Sequence, residues 1–288
     1  MTMPRWISTT ILLAALPALA WAAPDRSFFR PLRTATPPAV DGRLDDPVWR
    51  EAPSLAAFMS FIPDFGREPS EKTVAYMAYD DESLYFAFKC YDREPGKVKA
   101  SVASRDTIRP DDWICVNLDT FNDQQSLYAF YVNPLGIQTD SRFASGKEDF
   151  SVDIVWEGGG RLDPDGYSVE LRVPFKSIRY AGKKRVEMSI FFERFIQRRS
   201  EHVSYPALDA ARGYFFLTQM MPLELENIKQ YTLLEVLPGF THALRYARDE
   251  ATGRMAREEP YPRTFGQVLS EDVSLTAKYG LTSKLILD

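Results

Sequence analysis

Apolar and polar side chains alternate through many short segments of the chain, with turn residues between the segments. In 84–91 the even-numbered side chains are apolar or cysteine, and in 113–119 the even-numbered positions are again apolar, whereas Trp113, Asn117 and Asp119 occupy odd positions. A period of two is typical of a β-strand with one buried face. A strand face with aromatic and polar side chains, backed by an apolar face, is how a β-sandwich presents a ligand-binding surface.

The same alternation predicts further short strands separated by turns, and long helical periodicity is absent. The predicted strands cover 73–79, 84–91, 113–119, 126–133, 137–143, 152–156, 167–173, 187–195, 214–217 and 231–237. Brief helical turns are expected around 46–52, where Trp49 should plug the core, and at 174–178. Many short strands at this spacing predict an all-β protein, an antiparallel β-sandwich of the jelly-roll or immunoglobulin-like kind.

The N-terminus has the pattern of a cleaved export signal. Arg5 precedes an apolar run from 7 to 19, and Ala20-Trp21-Ala22 is a small-x-small cleavage site. Residues 1–22 are therefore predicted to be a signal peptide, and 23–38 an extended, proline-rich lead-in. Export places the protein in the periplasm or outer membrane of a Gram-negative bacterium.

Charge and cysteine content narrow the function classes. The formal net charge of −5 becomes −6 once Arg5 is removed, and no basic stripe indicates a nucleic-acid partner. Cys90 and Cys115 both fall in predicted strands. They either pair as a disulfide in the oxidising compartment or remain two small buried thiols.

The last part of the chain shows a second β pattern. After the sandwich, which we place at 39–222, the segment 223–288 combines a strand, a charged linker and a period-two apolar run from 273 to 287. That run has about the length of one tilted membrane-spanning strand, ~9–11 residues, although an ordinary strand with one wet face fits the pattern too. We expect a second β region here. If the run is a membrane-spanning strand, this region is the start of a membrane β-barrel.

Four segments give a family resemblance in order and spacing: 40–49 (VDGRLDDPVW), 79–88 (YDDESLYFAF), 111–119 (DDWICVNLD) and 165–175 (DGYSVELRVPF). Together they resemble family 9 carbohydrate-binding modules over roughly 28–222. The resemblance implies a non-catalytic sugar-binding sandwich, which often accompanies a glycoside hydrolase and carries structural calcium.

A narrower resemblance is to uncharacterised bacterial proteins in which such a module precedes an outer-membrane-barrel-like domain. It is carried by 118–123, 132–136, 174–180 and 279–285. The residues with which the best-understood modules grip a sugar, a Trp, a Glu and an Arg, are replaced here by Arg109, Cys115 and Tyr131.

Candidate ligand contacts follow from the needs of a sugar, which are flat aromatic faces and planar polar groups. The aromatic candidates are Trp113, Tyr131 and Trp156, with Trp113 foremost because it begins a strand beside a loop. The polar candidates are Arg109, Asn117 and Arg142. For each aromatic, packing in the core or between the sheets is the commoner alternative.

Asp92, Asp111 and Asp112 are the candidate ligands for calcium, because they lie at a strand end and on a loop. The histidines lack zinc-ligand spacing, no nucleophile-elbow motif occurs, and no catalytic residue is proposed.

The leading hypothesis is an exported, non-catalytic carbohydrate-binding module with a glycan ligand and a role in carbohydrate catabolism. The alternative is a structural periplasmic domain of an outer-membrane barrel or other envelope partner, without sugar affinity. Glycoside hydrolysis by the chain itself is a weaker alternative.

Overall fold

Alternating side chains build two stacked sheets in this protein, seen in a computed structural model that describes residues 28–212, 215–231, 234–240, 246–248, 252–257, 273–280 and 286–287. The segment predicted to be a signal peptide, 1–22, lies outside the described residues. None of the helices among the described residues is long and apolar enough to cross a membrane.

The strands are short and follow the predicted hairpins closely. They are β1 Leu32–Arg33, β2 Ser54–Leu55, β3 Met59–Ile62, β4 Thr73–Tyr79, β5 Ser83–Tyr91, β6 Trp113–Asp119, β7 Ser126–Val132, β8 Gln138–Ala144, β9 Lys147–Asp149, β10 Glu157–Asp163, β11 Gly166–Pro174, β12 Arg185–Ile196, β13 Glu201–Tyr205, β14 Met221–Glu226, β15 Leu234–Phe240, β16 Tyr246–Arg248, β17 Met255–Arg257, β18 Val273–Gly280 and β19 Ile286–Leu287. The helical segments are α1 Pro47–Glu51 and 3-10 turns at Pro95–Lys97, Phe175–Ser177, Gln197–Arg199, Ala210–Arg212 and Phe216–Gln219.

The sandwich consists of a six-stranded and an eight-stranded sheet. The first has the order β1-β4-β5-β11-β10, with β2 beside β4, and the second has the order β3-β13-β12-β6-β7-β8-β9, with β14 beside β12. The pairing of β1 with β4 is parallel and the other named pairings are antiparallel. The prediction of an all-β antiparallel sandwich is confirmed.

The inward side chains of both sheets form one core. On β11, Tyr167, Val169, Leu171 and Val173 face inward as the alternation predicts, and each is at most 1% exposed. Phe192 of the second sheet meets phenylalanine rings of the first at 5.2 and 6.0 Å between centroids. These edge-on contacts hold the two sheets together.

Trp49 is buried as predicted, but it packs on the outer face of the first sheet. It belongs to a small apolar cluster between α1 and the outward side chains of β4 and β5. Its indole Nε1 donates a 2.7 Å hydrogen bond to Glu170 Oε1, which anchors α1 to β11.

Hydrogen bonding of the sandwich also reaches beyond the predicted bounds 39–222, because Phe29 bridges to Leu223 and β14 ends at Glu226.

Two predicted strands are wrong. Residues 152–156 are not a strand; the strand is β10, which contains the three glycines. Glycine fits there because other segments approach the backbone closely. A Cβ on Gly159 would lie 2.6 Å from the carbonyl oxygen of Val40. In the predicted strand 214–217, Tyr214 lies outside the described residues and the chain continues as the 3-10 turn from Phe216, whose ring packs on the second sheet.

The two cysteines lie on different sides of the second sheet. Cys90 is buried in the core between the sheets, whereas Cys115 is buried on the outer face of β6. Both are free thiols. The alternative of two buried thiols is therefore confirmed, and a disulfide between them is excluded by this arrangement.

The second β region that the sequence predicts forms a separate sheet in the order β15-β18-β19. The strand predicted over 231–237 is observed at Leu234–Phe240, and the run from 273 is observed as Val273–Gly280. That this region begins a membrane barrel stays a prediction.

Candidate functional site

A groove lies on the outer face of the second sheet, opposite the core. Register places His202, Phe195 and Trp113 side by side on β13, β12 and β6. In the next row, Glu193 of β12 lies beside Cys115 of β6. That row continues through Tyr131 of β7 to Thr139 of β8. The strand alternation that fills the core thus also aligns one face of aromatic and polar side chains.

The groove has two adjoining lobes. The first, the Trp113 lobe, has a volume of about 470 Å³ and is lined by Ile108, Arg109, Trp113, Tyr131, Thr139, Glu148, Phe150, Glu193, Phe195 and His202. The second, the Phe216 lobe, has a volume of about 260 Å³ and lies where Leu208 and Phe216 pack on the sheet. Besides the residues that it shares with the first lobe, it is lined by Phe61, Ile62, Asn117, Leu127, Phe143, Phe191, Leu208 and Phe216. The Trp113 lobe has the size of a small-ligand pocket, ~300–1,000 Å³.

Aromatic rings form the floor of the Trp113 lobe. The Trp113 ring lies 5.2 Å from Tyr131, edge-on, and 5.4 Å from Phe195. Its distance to the His202 ring is 5.7 Å, and His202 lies 4.6 Å from Phe195. Trp113 remains half-buried, so part of the indole is available to a ligand.

Two carboxylates stand above this floor. Glu148 Oε1 accepts hydrogen bonds from the Tyr131 hydroxyl at 2.8 Å and from the Ser141 hydroxyl at 2.6 Å. Glu193 Oε1 lies 2.5 Å from His202 Nδ1. Aromatic faces and planar carboxylate oxygens, the two kinds of group that a sugar ligand needs, therefore line one cavity.

The groups beneath the carboxylates are held neutral. Burial, together with the charges of Glu193 and Glu148, keeps the pKa of the Cys115 thiol well above its ordinary range. Burial likewise keeps the pKa of Tyr131 well above its usual value, with the same two carboxylates and Cys115 adding to the shift. Cys115 is therefore not an activated nucleophile.

Four of the six predicted sugar contacts meet in this groove. Trp113 and Tyr131 form its floor, and Arg109 lies at its edge with the guanidinium carbon 4.5 Å from the centre of the Phe150 ring. Asn117 lies in the Phe216 lobe and is 5% exposed. The structure thus brings together residues from β6, β7 and the loop before β6.

The other two lie elsewhere. Trp156 is 4% exposed in the core, where Nε1 donates to Asp140 Oδ1 at 3.2 Å, so its ring is not offered to a ligand. Arg142 stands over the Tyr128 ring at 5.7 Å, on the core side of the sheet edge and outside the groove.

Glu148, Phe150, Glu193, Phe195 and His202 were not singled out from the sequence. A signal existed for two of them, because the predicted strand 187–195 places Glu193 and Phe195 on the face opposite the apolar Ile190 and Phe192. His202 and Glu148 enter the groove through pairings that only the folded sheet defines.

The three aspartates predicted to bind calcium do not form a cation site. Asp111 accepts hydrogen bonds from the chain, including one of 2.9 Å from Asn133 Nδ2, and Asp92 forms an ion pair with Arg198. Asp112 accepts a backbone N–H at 2.7 Å. Across the described residues, no group of three or more His, Cys, Asp or Glu could hold a metal ion. Donors of the chain bind all of these carboxylate oxygens except Asp112 Oδ1, whereas calcium takes six to eight oxygen ligands, so the prediction is not supported.

Comparison with known proteins gives a likeness of fold. No family model matches the sequence, and no curated protein matches it. The chain is similar to a candidate carbohydrate-binding protein from Bacteroides uniformis, with a TM-score of 0.55 and 10% identity over 69% of this chain and 98% of that chain. This likeness supports the sandwich fold.

The solved structures also include family 9 carbohydrate-binding modules from Caldicellulosiruptor kristjanssonii. The module in complex with glucose aligns with a TM-score of 0.47 and 16% identity over 70% of this chain and 98% of that chain. The module in complex with cellotriose aligns with a TM-score of 0.44 and 15% identity over 71% of this chain and 95% of that chain.

Proposed function

We propose that this protein binds a glycan in the groove of the second sheet, without transforming it. The observation that carries the proposal is the Trp113 lobe, where a half-buried indole, a tyrosine and two carboxylates converge in about 470 Å³. The aromatic faces would stack on the C–H side of a sugar ring, and the carboxylates would accept hydrogen bonds from its hydroxyls.

A glycan array with the chain from residue 23 onward tests the proposal, with Trp113→Ala and Trp113→Phe as variants. Loss of a stacked aromatic anchor should weaken binding by ~1–3 kcal/mol, whereas Phe keeps a ring and should retain most of the affinity. Tyr91→Ala is a matched control, because Tyr91 is exposed on β5 of the other sheet. The proposal would be overturned if the folded protein bound no glycan on the array, or if Trp113→Ala bound as tightly as the unmodified protein.

Export to the bacterial envelope is a second part of the proposal. It is supported by the basic residue, apolar run and small-x-small site of 1–22. In a Gram-negative host, the protein should be recovered from the periplasm or outer membrane, and mass spectrometry should find its N-terminus at residue 23. A cytoplasmic protein that retains Met1 would contradict this part.

The alternative is a structural domain beside an envelope partner, and the separate sheet formed by β15, β18 and β19 is the feature that favours it. Under this alternative the folded protein binds no glycan, while the chain remains with the outer-membrane fraction. The array and the fractionation together distinguish the two functions.

A further inference from the structure

Two acidic and two basic side chains line the Trp113 lobe, and one of the two carboxylates has no ion-pair partner among the described residues. β12 contributes Glu193 and β9 contributes Glu148, whereas the basic groups are His202 of β13 and Arg109 of the loop before β6. His202 is already in contact with Glu193. Arg109 stacks on Phe150 and, among the described residues, forms no ion pair with a carboxylate.

Glu148 carries a charge that the described part of the chain does not neutralise. Its Oε1 accepts two hydroxyl hydrogen bonds, from Tyr131 and Ser141, and it forms no ion pair with a described Lys, Arg or His. No described residue donates to its Oε2. Because a partly buried carboxylate gains most from a charged donor, this oxygen is suited to a cationic ligand group.

The rings that enclose the carboxylates favour the same kind of group. Trp113, Tyr131, Phe195 and Phe150 line one cavity with Glu148 and Glu193. An ammonium group over an aromatic face is attracted by the ring electrons, and two carboxylates beside the rings strengthen that attraction.

The hydroxyl of Thr139 is a second, independent observation that points to a polar ligand group. The residue is 4% exposed, lines the Trp113 lobe beside Tyr131, and its Oγ1 has no hydrogen-bond partner. A buried hydroxyl without a partner costs free energy, so a polar group in the lobe would stabilise the folded protein.

We propose that the glycan bound in this groove contains an amino sugar, whose protonated amine lies between Glu148 and Glu193. The inference rests on the proposed glycan-binding function and narrows its ligand class. Among the common polar substituents of a sugar ring, a free amine is the one that matches two carboxylates within an aromatic enclosure.

Three β-1,4-linked trisaccharides that differ only at carbon 2 provide the test: cellotriose with a hydroxyl, the N-acetylglucosamine trimer with an amide, and the glucosamine trimer with an amine. Calorimetric titration at pH 5 keeps the amines protonated, because the electron-withdrawing oxygens of the sugar ring lower the amine pKa below the value of about 8 of an α-amino group. The glucosamine trimer should bind at least about tenfold more tightly than the other two. Raising the salt concentration should weaken its binding alone, because salt screens the charge attraction.

Two isosteric variants locate the amine. Glu148→Gln and Glu193→Gln keep side-chain volume and an acceptor oxygen, and each should lower the affinity for the glucosamine trimer about tenfold more than it lowers the affinity for cellotriose. Glu51→Gln removes the same charge from the exposed end of α1, on the opposite sheet, and should change neither affinity.

The outcomes separate this inference from the function on which it rests. If cellotriose binds as tightly as the glucosamine trimer, or both variants weaken all three ligands alike, the amino-sugar inference is wrong and the glycan-binding proposal stands. If the folded protein binds neither the trimers nor any glycan of the array, both are wrong.

Discussion

The Tyr131 hydroxyl donates a 2.8 Å hydrogen bond to Glu148 Oε1, joining the floor of the groove to the carboxylate above it. β7 supplies the tyrosine and β9 supplies the glutamate, with β8 between the two strands. Ser141 of that middle strand donates to the same oxygen. The edge strand β9 is thereby joined to β7 and β8 beside the Trp113 lobe.

Tyr131→Phe should lower the free energy of unfolding by about 1 kcal/mol, since one neutral donor to a carboxylate is lost while the ring contact with Trp113 remains. Urea denaturation measures the change. Tyr128→Phe is the comparison, because its hydroxyl receives only a 3.4 Å hydrogen bond from the Arg179 backbone, and its effect should be smaller. Equal effects of the two substitutions would contradict the importance of the Tyr131–Glu148 bond.

Gly159→Ala should destabilise the sandwich by about 1–3 kcal/mol. A Cβ there would lie 2.6 Å from the backbone oxygen of Val40, and backbone cannot move aside as a flexible side chain can. Gly96→Ala has open space around its Cβ and should stay within about 0.5 kcal/mol of the unmodified protein. Thermal unfolding of the two variants side by side checks the expectation. An unchanged stability of Gly159→Ala would show that the loop around Val40 is not packed on β10.

The stability of the protein should include a pH-dependent contribution from Glu170. Burial raises the pKa of this carboxyl to about 7, although N–H donors from Trp49, Gly42 and Asp41 oppose the shift. The folded state therefore retains a proton that the unfolded state releases near its ordinary pKa. The contribution of Glu170 to the free energy of unfolding is fully present below about pH 4.5. This contribution, about 3 kcal/mol in total, is lost as the pH rises toward 7.

The Glu170 contribution is measured by comparing unfolding free energies of the unmodified protein and Glu170→Gln at pH 4.5, 6 and 8. The difference between the two proteins should shift steadily in favour of the glutamine variant as the pH rises, because other titrating groups are common to both. Parallel pH profiles would place the pKa of Glu170 near that of an exposed glutamate.

The cysteines should remain reduced even in an oxidising compartment. Cys90 lies in the core and Cys115 on the outer face of β6, so no disulfide can join them. Thiol titration of non-reduced protein should give two thiols per chain in denaturant and almost none in the folded state, because both are buried. A loss of both thiols without reductant would contradict the placement of the two residues.

The local part of the structure followed from the sequence, and the long-range part did not. Alternation placed β4, β6 and β11 correctly and gave Trp113 the right face, since side-chain period two is a property of each strand alone. It could not foresee that Trp156 packs against Phe130 at 5.4 Å, because burial there depends on the second sheet.

The same limit applies to the groove and to the aspartates. Glu193 and Tyr131 share one row only because β12 and β7 both pair with β6. The loop aspartates looked available for calcium, but Arg198 from a distant turn forms the ion pair with Asp92. Partners that are far apart in sequence decide both outcomes.

The alternation within β6 has a consequence for how this protein could diversify. Ile114, Val116 and Leu118 are committed to the core, whereas Trp113 and Asn117 face the groove. Positions that stabilise the fold and positions that line the groove therefore alternate along the same strand. A library randomised only at the groove-facing positions would vary the groove surface without changing the core.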